Sequence, residues 1–189
     1  MTGKVGITDS ERIRWLIGFA TLGFTAGTLS HREISEIQEQ LDQFVIGGKG
    51  LFGGAVASIG TAGEPMSEQS IMRLRNDVLY GLNLVARLSD LQQGFVGWQF
   101  SADKKITELE LFVRKGAISI RGPRDAMVLF CAAALIASDE GKRICECAAD
   151  DCTRVFYQWR RGLYCSPQCS QRMRTKRLSP KRGKVKARG

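Results

Sequence analysis

The side chains best equipped for chemistry in this 189-residue chain are its cysteines: five of the six, Cys145, Cys147, Cys152, Cys165 and Cys169, fall within 25 residues. Four of them form two short-spaced pairs, Cys147-Ala-Ala-Asp-Asp-Cys152 and Cys165-Ser-Pro-Gln-Cys169, in the pattern C-x4-C-x12-C-x3-C. Structural zinc takes four thiolates or imidazoles tetrahedrally, usually from two such pairs, each on a tight turn that lets two sulfurs meet one ion. Cys147, Cys152, Cys165 and Cys169 are therefore the expected ligands of a single structural Zn²⁺. Cys145 competes with Cys147, but its loop to Cys152 is longer than these sites usually use. The spacings match neither ferredoxin pattern, and disulfides require an oxidising compartment. Four cysteines leave zinc no open coordination position for a substrate. With a single histidine, His31, and no nucleophile–base pair, the chain is not expected to be an enzyme.

The second chemical signal is charge. The chain carries +9 overall, but residues 142–189 hold 14 Lys+Arg against 3 Asp+Glu, a net of +11, and residues 1–141 are left at −2. Nine cations and no acid follow Cys169. Charge of one sign beside a metal-held module attracts phosphate by counterion release, with little sequence information. The candidate nucleic-acid contacts are Arg160, Arg161, Arg172, Arg174, Lys176, Arg177, Lys181 and Arg182. A helix over residues 169–178 can enter a groove and add base contacts from Arg172, Arg174 or Arg177. Phe156 and Tyr164 suit a small core, whereas Tyr157 and Trp159 are open between core and base stacking. Asp150-Asp151, adjacent acids between two cysteines, read as a solvated turn.

The elements that must position these groups follow from patterning. Val155–Tyr157 and Leu163–Tyr164 read as two short strands joined by a turn over residues 158–162. Ser166 is a natural N-cap with Pro167 at the first helical position, and that helix is expected to end before Pro180. Upstream, residues 11–20 read as an apolar helix, and Ser30 with Glu33 is spaced as a capping box opening a helix at His31, itself expected on the surface. Ile34, Ile37, Leu41, Phe44 and Val45 share one face of it. The Gly-rich stretch over residues 47–63 fails the P-loop test, because Gly50 follows Lys49 where a hydroxyl is needed, and reads as a surface loop. Ser67 caps a long helix whose stripe is Ile71, Leu74, Val78, Leu82, Val85 and Leu88. Strands over residues 106–113 and 117–121 form a hairpin around Lys115-Gly116, and Pro123 opens a helix through Ser138 that buries Cys131.

With 43% hydrophobic and 25% charged residues, global disorder and a polytopic membrane protein are both excluded. Residues 15–29 are mostly apolar, but Asp9, Glu11 and the interrupting Thr and Gly residues argue against a secretory signal or a membrane span. A cytoplasmic protein with no membrane partner is expected.

The string Cys147-Ala-Ala-Asp-Asp-Cys152, Val155-Phe156, Arg160-Arg161, Tyr164-Cys165-Ser166 and Cys169-Ser170-Gln171-Arg172 resembles the CGNR zinc finger, which closes bacterial proteins regarded as transcription regulators. The resemblance covers about residues 126–177. The last tetrad keeps the Cys and Arg of the signature and carries Ser170 and Gln171 where the family has Gly and Asn. Its second pair is x3 where many members have x4. The resemblance implies a DNA-binding regulator in which a mostly helical domain precedes the finger and dimerises or senses a ligand. An RNA- or ribosome-associated protein and a zinc-shaped protein-interaction adaptor are the alternatives. The expected architecture is α+β: a mostly helical domain with a β-hairpin over residues 1–141, a treble-clef-like four-cysteine finger over 142–178, and a disordered basic tail over 179–189.

Overall fold

The computed structural model describes residues 8–23, 29–46, 65–88, 110–114 and 117–182. The chain is mostly helical, with short antiparallel pairs and a cysteine cluster toward its C-terminus. In order come α1 (Asp9–Thr21), α2 (His31–Ile46), α3 (Glu68–Leu88), β1 (Glu110–Arg114), β2 (Ala117–Arg121) and α4 (Arg124–Ile136). A 3-10 turn at Gly141–Arg143, β3 (Ile144–Glu146), β4 (Val155–Tyr157) and α5 (Pro167–Arg182) follow. The Gly-rich stretch, residues 106–109, the Lys115-Gly116 turn and residues 183–189 lie outside the described residues.

Hydroxyl side chains start the first three helices. Thr8 accepts from the Glu11 N–H at 3.3 Å while Glu11 accepts from the Thr8 N–H at 2.8 Å, and Ser30 and Glu33 repeat the exchange at the same distances. Each exchange satisfies donors that a helix N-terminus otherwise leaves unpaired. Ser67 accepts from the Ser70 N–H at 3.2 Å. His31 is exposed, as expected. Pro123 stands at the N-cap of α4, one position earlier than expected.

Helix α4 is the centre of the body. It is buried on most of its circumference, Ala126 to Leu129 as well as Cys131, Ala132, Leu135 and Ile136, and it packs on α1, α2 and α3. An apolar helix surrounded in this way needs no polar face, unlike α2 and α3. From α3 the stripe of Ile71, Leu74, Val78 and Leu82 is buried as expected, with Val85 partly so. From α2 come Ile37, Leu41, Phe44 and Val45. Among the described residues one charged side chain joins this core: Arg12 of α1, 1% exposed, donates to the Phe44 carbonyl through Nε at 3.2 Å and Nη2 at 2.8 Å. That carbonyl belongs to the last turn of α2, where orphan acceptors and the helix dipole both favour a cation.

The core continues past residue 141. Ile144 of β3 and Val155 and Tyr157 of β4 belong to the same cluster of buried residues, and β3 and β4 pack against α3 and α1. The link to α4 is tight, because a Cβ on Gly141 would lie 1.7 Å from the Ile136 carbonyl oxygen.

Two expectations are corrected. Leu163–Tyr164 is not a strand, and β4 pairs backward with β3 in the register Ile144↔Tyr157, Cys145↔Phe156 and Glu146↔Val155. The closing loop of that hairpin is the first cysteine pair, flanked by the Cys147 N–H donating to the Arg154 carbonyl at 3.0 Å. Pairing with the preceding segment won because a strand lying against α3 buries Ile144, whereas Leu163 is 61% exposed. Helix α5 also does not stop before Pro180 but runs to Arg182, so Lys181 and Arg182 lie on its last turn rather than in a tail. Proline removes only one donor, and its effect on the preceding residue is a bias that a continuing helix can override.

Candidate metal centre and its basic helix

Alternation along β4 divides its side chains between two environments. Val155 and Tyr157 face the helical core, and Phe156 turns to the other side, where it packs with Tyr164 and Met173 around the cysteines. The tight turn after Cys147 is closed by the Cys152 N–H donating to the Ala149 carbonyl at 2.9 Å. Ala148 donates to the Leu163 carbonyl at 2.9 Å, which brings the chain leading to Cys165 beside this knuckle. Ser166 caps α5, accepting from the Cys169 N–H at 3.2 Å, so Cys169 sits in the first turn of that helix.

These elements bring the Sγ atoms of Cys147, Cys152, Cys165 and Cys169 within 4.8 Å of one another. Cys152 and Cys165 are 3.7 Å apart, and Cys165 and Cys169 are 3.6 Å apart. A tetrahedral four-thiolate site with metal–sulfur bonds of about 2.3 Å has edges of about 3.8 Å, so the group can hold a metal ion. Cys147 and Cys169 are buried and the other two half-buried. Cys145 lies outside the group: on β3 it reaches the Gln158 side chain at 3.8 Å. Cys131 is buried in the helical core, and desolvation pushes its thiol up to about 11.

Donors surround the sulfurs. The Cys165 N–H donates to Cys147 Sγ at 3.4 Å, and Arg172 Nη2 donates to Cys169 Sγ at 3.2 Å. Hydrogen bonding by Ser166, then by Arg172, draws the Cys169 thiol down to about 6. Cys165 is pushed up to about 12, first by burial and then by the neighbouring cysteines. Four crowded sulfurs cannot all carry charge without a cation between them, so a metal entering this site expels protons.

The cations expected to meet nucleic acid divide into groups. Arg172 Nη1 meets Asp151 at 2.8 Å and Lys176 meets Asp150 at 3.4 Å, so the two acids, exposed in a turn as expected, also pair with α5. Arg174 and Arg177 are exposed, and among the described residues neither has an acidic partner. Arg160 and Arg161 are exposed in the loop after β4. Lys181 and Arg182 are on α5, with side chains outside the described residues. Of the open aromatics, Tyr157 is core, its hydroxyl bonded to Glu140 and to Arg143. Trp159 is 61% exposed, with the Arg14 guanidinium 4.8 Å from its ring centroid. The one signal for the acid–base latch was composition: Asp150 and Asp151 are two of only three acids beyond residue 141.

Among the described residues no helix is long and apolar enough to cross a membrane. No known family model, no curated protein and no solved structure matches the chain.

Proposed function

We propose that this chain is a zinc-dependent DNA-binding transcription regulator, holding one structural Zn²⁺ at Cys147, Cys152, Cys165 and Cys169 and meeting the phosphate backbone through α5 and the basic segment after it. The observation that carries this reading is the convergence of four sulfurs at one end of a helix that has no acidic residue along its length. An all-sulfur donor set of this size suits zinc, and a reducing cytoplasm keeps such thiols available. The ion ties the knuckle, the chain after β4 and α5 into a treble-clef-like finger that has too little apolar core of its own to fold alone. The resemblance of residues 126–177 to the CGNR finger supports the same reading, and the helical body then serves dimerisation or ligand sensing.

A second reading, an RNA-binding protein, draws on Trp159, whose exposed ring can stack on a base. Arg14 already covers one face of that ring, and a helix lined with cations fits the major groove of B-DNA but not the narrow one of A-form RNA. Duplex DNA is therefore the preferred partner. The test is selection of bound nucleic acid by intact protein, compared with Cys147→Ser. Enrichment of a duplex sequence that is lost in the variant supports the regulator. Enrichment of single strands, weakened by Trp159→Ala, replaces it with the RNA reading.

A further inference from the structure

Helix α5 presents its cations on two faces with different electrostatic surroundings. Taking about 100° per residue, Arg172 and Lys176 point together, and Arg174 and Arg177 point together about 150° round the helix from them. The first face lies against the knuckle: Arg172 is held by Asp151 and by Cys169 Sγ, and Lys176 by Asp150. Four thiolates around one divalent ion leave the centre at −2. Together with the two aspartates this outweighs the two cations, so the knuckle face repels a phosphate even though Gln168, Gln171 and Thr175 form a shallow groove beside Arg172 and Lys176. The second face has Arg174 and Arg177 exposed, with no acidic partner among the described residues, and the backbone position of Lys181 continues it one turn on.

We propose that α5 binds the sugar–phosphate backbone of one DNA strand through the Arg174–Arg177 face, and that Arg172 and Lys176 orient the helix on the metal centre instead of contacting nucleic acid. This rests on the DNA-binding reading above and adds which cations do the work. Because phosphate contacts carry no sequence information, a short random-sequence duplex is a sufficient probe.

The experiment measures affinity of the zinc-loaded protein for that duplex between about 50 and 200 mM salt, for the parent chain and for Arg174→Gln, Arg177→Gln and Lys176→Gln. Zinc content is checked for each, so that a variant that loses its metal is distinguished from one that loses a contact. The slope of log K against log salt is expected to become shallower by about 0.9 for each arginine removed and to stay at the parent value for Lys176→Gln. An unchanged slope in both arginine variants, or an equal loss in Lys176→Gln, overturns the assignment of faces while leaving DNA binding standing. Absence of any salt-dependent binding by the zinc-loaded parent overturns both readings.

Discussion

Arg172 donates to the Sγ of Cys169 at 3.2 Å from three residues further along α5. The same guanidinium meets Asp151 of the knuckle at 2.8 Å, so one side chain touches a sulfur from the second cysteine pair and a carboxylate from the loop of the first. A fixed donor on a thiolate lowers its charge density and orients it, as outer-shell partners of metal ligands do.

Replacing Arg172 by Ala is expected to weaken metal binding about 10- to 100-fold in competition with a chromogenic chelator. Arg172→Lys should recover only part of that loss, because an ammonium keeps the charge but not the two-pronged geometry that reaches Cys169 and Asp151 together. Equal affinity in the parent and Arg172→Ala would remove the residue from the metal centre.

Gly141 is a tight joint between α4 and β3. A methyl group there would lie 1.7 Å from the Ile136 carbonyl oxygen and 2.5 Å from its carbon, backbone atoms that cannot step aside. Gly141→Ala is expected to lower unfolding stability by about 2 kcal/mol or more, read from the denaturant midpoint at constant slope.

Arg12 closes the C-terminus of α2 from inside the core. Arg12→Ala leaves the Phe44 carbonyl without its guanidinium partner and opens a cavity beside the Phe44 ring, which the guanidinium carbon overlies at 4.8 Å. A cost of about 3 kcal/mol is expected by equilibrium unfolding, with the number of bound metal ions unchanged.

Cys131 gives the fold a pH dependence of definite sign. Its thiol is pushed from about 9 to about 11 by burial, so between those values the unfolded chain ionises while the native state keeps its proton. The unfolded state is favoured as pH rises, and stability should fall by about 1.4 kcal/mol per pH unit across that window. Cys131→Ala should make that slope shallower by this one thiol's share. In thiol-reagent titrations of metal-loaded protein, half-buried Cys145 should react first, the four clustered cysteines only after chelation, and Cys131 only on unfolding.

The features legible in the sequence are the ones whose physics is local. The Ser30–Glu33 exchange spans three residues, the Ile71–Leu82 stripe is a helical period, and the two cysteine pairs announce themselves by spacing. Pairing of β4 with Ile144–Glu146 was not legible, because three residues carry too little pattern to compete with the Leu163–Tyr164 alternative. What decided it was burial of Ile144 against α3. Asp150 and Asp151 are surface acids as expected, but their pairing was not legible because their partners lie 26 and 21 residues away and are brought close only when the knuckle meets α5. The burial of Arg12 has the same origin: its acceptor is a carbonyl on another helix, to which no side-chain pattern points. Pro180 misled in the opposite sense, since a local rule for helix ends was overridden by a helix already under way.

The role assigned to Cys147, Cys152, Cys165 and Cys169 stands or falls on the metal. Native mass spectrometry of protein purified without chelators should show one zinc ion per chain, and Cys169→Ser should lose the ion. A chain that carries no zinc under those conditions, with all six cysteines alkylated at once in the folded state, would contradict it.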